Sequence, residues 1–384
     1  MSALDDAFAR VFGRPPEFRT RAPGRVNLIG EHTDYNAGLV LPAAIARSVT
    51  IAAAVNGSDR IRLYSMLDGA RAEFSARAPG AALLPGWARY PQGVAVGFAA
   101  RGLPLRGVDA AIGGALPIGA GLSSSAALEL ASALLLEHAA GISLPPRDRA
   151  RLCHEAEVSF VGVPCGIMDQ FACSLGRAGH ALFLDCRSLE THHIPFPPGI
   201  VVAVCDTGIR RAVSDSPYAA RRQECDTAVR WLQARGSAIR TLRDLSPEDL
   251  SELDAAPDPL ARRVRHVVTE NARVIESAQA LEGGDVAALR EIFLASHRSL
   301  RDDYAVGRPE LDAMVEAALD APGCRAARMT GAGFGGAVVA LVHRDDADRF
   351  LATAEERYRR RGFHPGVLFT SETASGARTA EIHA

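Results

Sequence analysis

Gly24-Arg-Val-Asn-Leu-Ile-Gly-Glu-His-Thr-Asp-Tyr35 is the stretch from which the rest of the chain can be read, with six polar or charged side chains, Tyr35 apart, in twelve positions. Just upstream, Phe18 to Arg21 alternates as a short strand does and Pro23-Gly24 interrupts it, so the polar cluster begins at a strand end. Sites concentrate in such loops. Asn27, Glu31, His32 and Asp34 put many hydrogen-bond donors and acceptors into a small volume, the equipment for gripping a polyhydroxylated molecule. Arg25 adds a permanent cation. A solvated polar loop is the plain alternative. Against it, Val26, Leu28 and Ile29 are interleaved with the polar residues and predict partial burial, where polar groups need partners.

A chain of 384 residues, 48% of them apolar, has material for two domains with a core each. Its formal net charge of -2 gives no sign of a nucleic-acid partner. No apolar run reaches the ~18 residues of a membrane span, and Met1 to Arg10 carries Asp5 and Asp6 without an apolar secretory core. A cytoplasmic protein with no membrane partner is expected, and nothing in the sequence speaks against a monomer. The seven cysteines are odd in number and form no CxxC, which argues against a disulfide framework or a zinc site, so buried free thiols are expected. All 43 basic residues are arginine. Without lysine there is no P-loop lysine, no protein-kinase strand lysine and no Schiff base, so a phosphate must be held by backbone N–H groups, hydroxyls, arginine or metal.

Leu39 to Val55 and Arg60 to Ser65 read as sheet. Trp87 and Tyr90 open a predicted helix reaching Ala100 and would share a face; they either pack on the core or line a slot for a flat ring. Gly107 to Gly113 reads as a strand leading into Leu116-Pro-Ile-Gly-Ala-Gly-Leu-Ser-Ser-Ser-Ala-Ala127, and a helix follows to Ala140, closed by Gly141. Glycines then serines at a helix start make an anion site: Gly119, Ala120, Gly121 and Leu122 bring the backbone close, and Ser123, Ser124 and Ser125 offer hydroxyls and unpaired N–H groups. A glycine turn with a serine cap is the plain alternative. Pro145-Pro146 restarts a helix to Gly162 that carries Glu155 and Glu157, which point in nearly opposite directions, so one alone faces inward. Asp169 lies among apolar neighbours in Pro164-Cys-Gly-Ile-Met-Asp-Gln170, where a carboxylate must be paired or protonated. It either caps a following helix or acts on a substrate hydroxyl with Arg25 keeping it ionised.

Ala181 to Asp185 and Ile200 to Asp206 read as strands, with a proline-rich crossing between them and a domain boundary near residue 190. Residues 240 to 320 form amphipathic helices without evident chemistry. Met329-Thr-Gly-Ala-Gly-Phe-Gly-Gly336 precedes a strand and signals a close backbone approach. A helix over Asp345 to Arg361, a strand over Val367 to Thr370 and a frayed final dozen residues complete the reading.

The opening dodecamer closely resembles, without a gap, the signature of galactokinases within the GHMP family of small-molecule kinases. Leu116 to Ala127 is similar to that family's phosphate-binding motif and Met329 to Gly336 to its third motif, which there folds against both substrate sites. Trp87 and Tyr90, Glu157, Asp169 and Tyr218 match single family positions in order. The resemblance implies an α+β, two-domain GHMP kinase fold. Residues 1–190 would form a ribosomal S5 domain 2-like domain and 191–384 a ferredoxin-like domain, with the active site in the cleft between them. It implies transfer from ATP to galactose, giving galactose 1-phosphate and ADP, with Mg2+ held by Ser125 and Glu157. Glu31, His32, Asp34, Gly166, Asp169 and Tyr218 would meet the sugar, Trp87 and Tyr90 the adenine, and Gly119 to Ser125 the phosphates, with Asp169 and Arg25 at the nucleophile. One departure stands out: Asp206-Thr207-Gly208 occupies a place near the sugar where many galactokinases have Asn-Ser/Thr-Asn. This leaves open an arabinose or N-acetylgalactosamine kinase, and, in another class, a sugar and ATP sensor that does not transfer.

Overall fold

The computed structural model describes residues 2–209 and 217–381. In chain order the strands are β1 Phe18–Asn27, β2 Leu39–Val40, β3 Pro42–Val55, β4 Arg60–Ser65, β5 Arg71–Ser75, β6 Val108–Gly114, β7 His180–Asp185, β8 Thr191–Pro195, β9 Ile200–Asp206, β10 Cys324–Thr330, β11 Ala337–His343, β12 Leu368–Ser371 and β13 Arg378–Glu381. They form a six-stranded sheet in the order β13-β1-β3-β6-β4-β5, a three-stranded sheet β2-β7-β8 and a four-stranded sheet β10-β11-β9-β12. The helices are α1 Ala3–Phe12, α2 Arg89–Ala100, α3 Ser124–Ala140, α4 Pro146–Ala156, α5 Met168–Leu175, α6 Pro217–Gln233, α7 Leu260–Glu282, α8 Val286–Asp302, α9 Pro309–Leu319 and α10 Ala347–Arg360.

β9 and β11 explain how two cores share one sheet. Successive strand residues face opposite sides. Val201, Ala203 and Cys205 enter one core with Val338, Ala340 and Val342, while Val202 and Val204 join Val339 and Leu341 in the core that also holds α3 and the six-stranded sheet. Both strands are apolar along nearly their whole length because both faces are covered. α3 is likewise buried on most sides against β1 and β3, and it closes at Gly141 in the left-handed conformation, φ 71°.

One sequence reading needs adjustment. Arg378–Glu381, expected to fray, pairs with β1 from Phe18↔Glu381 to Arg21↔Arg378. Without it β1 would present an unpaired edge, and a short strand from the end of the chain satisfies that edge. The expected division near residue 190 falls inside the β7–β8 hairpin, because Thr191–Pro195 finds its partners on β7. The crossing to the four-stranded sheet follows at Phe196–Gly199. All seven cysteines are free thiols, and among the described residues no helix is long and apolar enough to cross a membrane.

Candidate active site

The loop from β6 to α3 turns through three left-handed residues, Gly119 at φ 76°, Gly121 at φ 77° and Ser123 at φ 57°. For a serine this conformation costs about 1 kcal/mol or more, so the surroundings must enforce it. Ser123 is the N-cap of α3 yet makes no side-chain cap; its hydroxyl donates instead to Asp169 Oδ2 at 2.5 Å. The Ser123 side chain thus leaves the first N–H groups of α3 uncapped, at the positive end of the helix dipole. Ala120 and Leu122 are buried and anchor the loop, while Ser124 and Ser125 are partly exposed.

Arg25, near the end of β1 and 5% exposed, ties this loop to Asp169. Its Nε and Nη2 lie 2.7 and 2.6 Å from Asp169 Oδ1, and its Nη1 donates to the Gly121 carbonyl at 2.7 Å. Burial opposes the charge of Arg25, but Asp169 beside it outweighs that and holds the guanidinium firmly protonated. Asp169 lies in the first turn of α5 without capping it; both oxygens are engaged by Arg25 and Ser123.

On the far side of this pair stand Asp34, Gly166, Glu31, His32 and Tyr218. A Cβ on Gly166 would sit 1.9 Å from Asp34 Oδ2, so only glycine lets the two segments meet. Burial, then the charge of Asp169, pushes the Asp34 carboxyl up to about 7. Glu31 Oε1 accepts from the Gly331 N–H at 3.0 Å and from the Thr330 hydroxyl at 3.3 Å. His32, left-handed at φ 64°, sits in an aromatic box: its Nδ1 is 2.8 Å from Tyr35 Oη, and its ring centroid is 5.7 Å from that of Tyr218 and 4.6 Å from that of Tyr304.

α4 continues as a single π turn, Glu157–Val161, a distortion common at functional positions. Glu157 is 4% exposed, whereas Glu155 lies at the surface paired with Arg101, as helix geometry required. Glu157 accepts from Gln170 Nε2 at 2.6 Å and lies beside the Ser125 hydroxyl. Burial and then Asp169 push the Glu157 carboxyl up. Gln170 Nε2 also donates to Glu129 Oε2 at 3.1 Å, so one amide bridges two buried carboxylates. Among the described residues no group of three or more His, Cys, Asp or Glu could cage a metal ion. One hydroxyl and one carboxylate beside a phosphate loop nevertheless suit a magnesium ion that takes its other oxygens from phosphate and water. Tyr90 is nearby: burial and the charges of Glu157 and Glu129 push its phenol up to about 12. Trp87, on the turn Gly86–Ala88, packs against the core but keeps a buried Nε1 without a partner.

Sequence reading missed Glu129, Gln170 and the supports from the other half of the chain. Glu129 was findable: it lies four residues after Ser125, on the same helix face, as the first charge of an otherwise apolar helix. The supposedly inert helices supply the rest. From α7, Glu270 Oε1 accepts the Gly30 N–H at 3.0 Å, Asn271 Oδ1 accepts that of Leu39 at 2.8 Å, and His266 Nε2 lies 3.1 Å from the Glu31 carbonyl. The third glycine stretch lies against the phosphate loop, with Gly331 beside the Gly121 carbonyl. Asp206-Thr207-Gly208 serves that stretch: Asp206 Oδ1 accepts from Gly208 N at 2.9 Å and Thr207 Oγ1 donates to the Gly336 carbonyl at 2.7 Å.

Three family models match the chain: the galactokinase galactose-binding signature over residues 6–55, the GHMP kinases N terminal domain over 89–177 and the GHMP kinases C terminal over 277–360. The galactokinase of Chloroflexus aggregans is 46% identical over 92% of this chain and 90% of its own, and that of Homo sapiens 41% identical over 97% and 94%. The crystal structure of Lactococcus lactis galactokinase complexed with galactose superposes with a TM-score of 0.92 at 34% identity, covering 98% of both chains. Methanococcus jannaschii mevalonate kinase, at 16% identity and a TM-score of 0.69, shares the fold. Two domains of the GHMP type, a glycine-serine loop tied to the Arg25–Asp169 pair, and these identities give one conclusion: the chain belongs to the galactokinase family of GHMP kinases.

Proposed function

We propose that this cleft transfers the γ-phosphoryl group of ATP to the anomeric hydroxyl of galactose, giving galactose 1-phosphate and ADP. The observation that carries the reading is the Arg25–Asp169 pair, joined to the anion loop through Gly121 and Ser123 and standing next to the Asp34 carboxylate. A nucleophile and a phosphoryl donor held on those two sides would meet at Asp169. Glu31, His32, Asp34, the Gly166 backbone and Tyr218 hold the sugar. Trp87 and Tyr90 flank the adenine, and Gly119 to Ser125 hold the phosphates with backbone N–H groups and hydroxyls.

The sugar oxygen attacks in line as the bond from the γ-phosphorus to the leaving oxygen of ADP breaks. Asp169 orients the hydroxyl and accepts its proton; the loose transition state demands little basicity of it. Arg25 keeps Asp169 paired while that proton arrives, and the α3 N-terminus faces the charge that spreads over the phosphoryl oxygens. Ser125 and Glu157 would hold Mg2+, which when bound neutralises phosphate charge. Asp206 and Thr207 are occupied in the β9 turn, which favours galactose over a changed sugar.

The test is ADP release by purified protein with ATP, Mg2+ and, separately, galactose, arabinose, N-acetylgalactosamine, glucose and mevalonate. A signal with galactose well above the others is expected. A larger signal with another sugar would move the specificity, and silence with all despite ATP binding would make the protein a sensor.

A further inference from the structure

Arg328 on β10 is 0% exposed and precedes the third glycine stretch by a single residue. Its guanidinium reaches the opening dodecamer from the opposite half of the chain. Nη1 lies 2.5 Å from Glu31 Oε2 and donates to the Leu28 carbonyl at 2.9 Å, while Nη2 lies 3.6 Å from Glu270 Oε1. Glu270 in turn accepts from Gly30 N at 3.0 Å and from the Ser296 hydroxyl at 2.7 Å and pairs with Arg273 at 2.7 Å. Arg328 therefore grips Leu28 and Glu31 directly and Gly30 through Glu270.

The two oxygens of Glu31 differ. Oε1 is filled by Gly331 N–H and the Thr330 hydroxyl. Oε2 is held by the Arg328 guanidinium at 2.5 Å and by no other group among the described residues. A carboxylate oxygen has more than one lone pair, so Oε2 keeps acceptor capacity for a ligand hydroxyl.

We propose that Arg328 is a specificity-determining positioning residue, which fixes the rotamer and charge of Glu31 so that Oε2 is presented to one hydroxyl of the sugar. This rests on the galactose reading above. A guanidinium is required because Nη1 meets the Leu28 carbonyl and Glu31 while Nη2, the other arm of the fork, faces Glu270; lysine has a single nitrogen for all three. Buried charges removed singly leave their partners unpaired, so the test uses one conservative and one charge-balanced variant.

Arg328→Lys is expected to raise the galactose KM about tenfold, with the ATP KM within about twofold of wild type, since one oriented polar contact is loosened. Arg328→Met/Glu270→Gln removes one positive and one negative charge together and keeps an acceptor for Gly30 N–H; its galactose KM is expected to rise further, with thermal unfolding reporting that the protein is folded. Among monodeoxy galactoses, the analogue lacking the hydroxyl read by Glu31 is expected to be poor already with wild type and unmoved by Arg328→Lys, which a merely structural arginine would not produce. An unchanged galactose KM in both variants, or losses spread equally over galactose, ATP and every deoxy analogue, would overturn the role. Wild-type protein without galactose-dependent ADP release would instead sink the galactose reading, and the role of Arg328 with it.

Discussion

The two walls of the cleft are held by different means. The proposed phosphate wall is local: Gly119 to Ser125 and the first turn of α3 are contiguous, and the groups that would meet an anion are mostly backbone. The proposed sugar wall is assembled across the chain, for the dodecamer is pinned by His266, Glu270, Thr330 and Arg328, which lie 235 to 303 residues away in sequence. The chemistry of the ligands explains the contrast. A phosphate is met by dipoles that a helix start supplies unaided. Reading hydroxyls takes side-chain carboxylates in a dry site, and each buried carboxylate needs a partner that the local chain cannot provide. On the proposed reading, phosphate binding would be insensitive to most of the fold, and sugar recognition would depend on how the two halves meet.

The sharpest way to break this picture is at the junction of the walls. Asp169→Ala should lower single-turnover transfer by roughly 10³-fold or more while calorimetry finds ATP binding intact; a near-normal rate would mean that the walls do not meet there. Gly166→Ala attacks the sugar wall alone. With a Cβ only 1.9 Å from Asp34 Oδ2, it should raise the galactose KM on the order of 100-fold and leave that of ATP near wild type; equal rises would erase the distinction between the walls. Ser125→Ala and Glu157→Ala address the phosphate wall and should raise the magnesium requirement about tenfold without moving galactose affinity. An unchanged requirement would remove both as ligands.

The smallest effect concerns pH. The Asp34 carboxyl is pushed up from an ordinary 3.8 to about 7 by burial and the nearby Asp169, with Arg25 pulling the other way and Glu31 adding to the rise. The folded protein therefore binds more protons at Asp34 than the unfolded chain does between those values, so ligand-free stability falls as pH rises through that window. The ionised carboxylate is the better acceptor for a sugar hydroxyl, so the galactose KM should fall a few-fold as pH passes about 7. Asp34→Asn should flatten both profiles, and profiles that keep their slope would show that another group titrates.

The same contrast governs how much was legible in the sequence. The glycine-serine loop, α3 and the inward choice of Glu157 over Glu155 follow from local spacing, and the structure has them. The partner of the Ser123 hydroxyl was not legible: it donates to Asp169, and which acceptor that serine chooses depends on a residue 46 positions away. Arg328 and Glu270 carried no signal, because an arginine in a strand and a glutamate on an amphipathic helix look like surface residues until the fold buries them. β13 was missed for a related reason, since the open edge of β1 exists only once the sheet has formed.

The most direct measurement is phosphorus NMR of the products formed from galactose, ATP and Mg2+. ADP together with a sugar phosphate monoester whose phosphorus couples to the anomeric proton is the expected result. A monoester at another carbon, or ADP accompanied by inorganic phosphate alone, would contradict it.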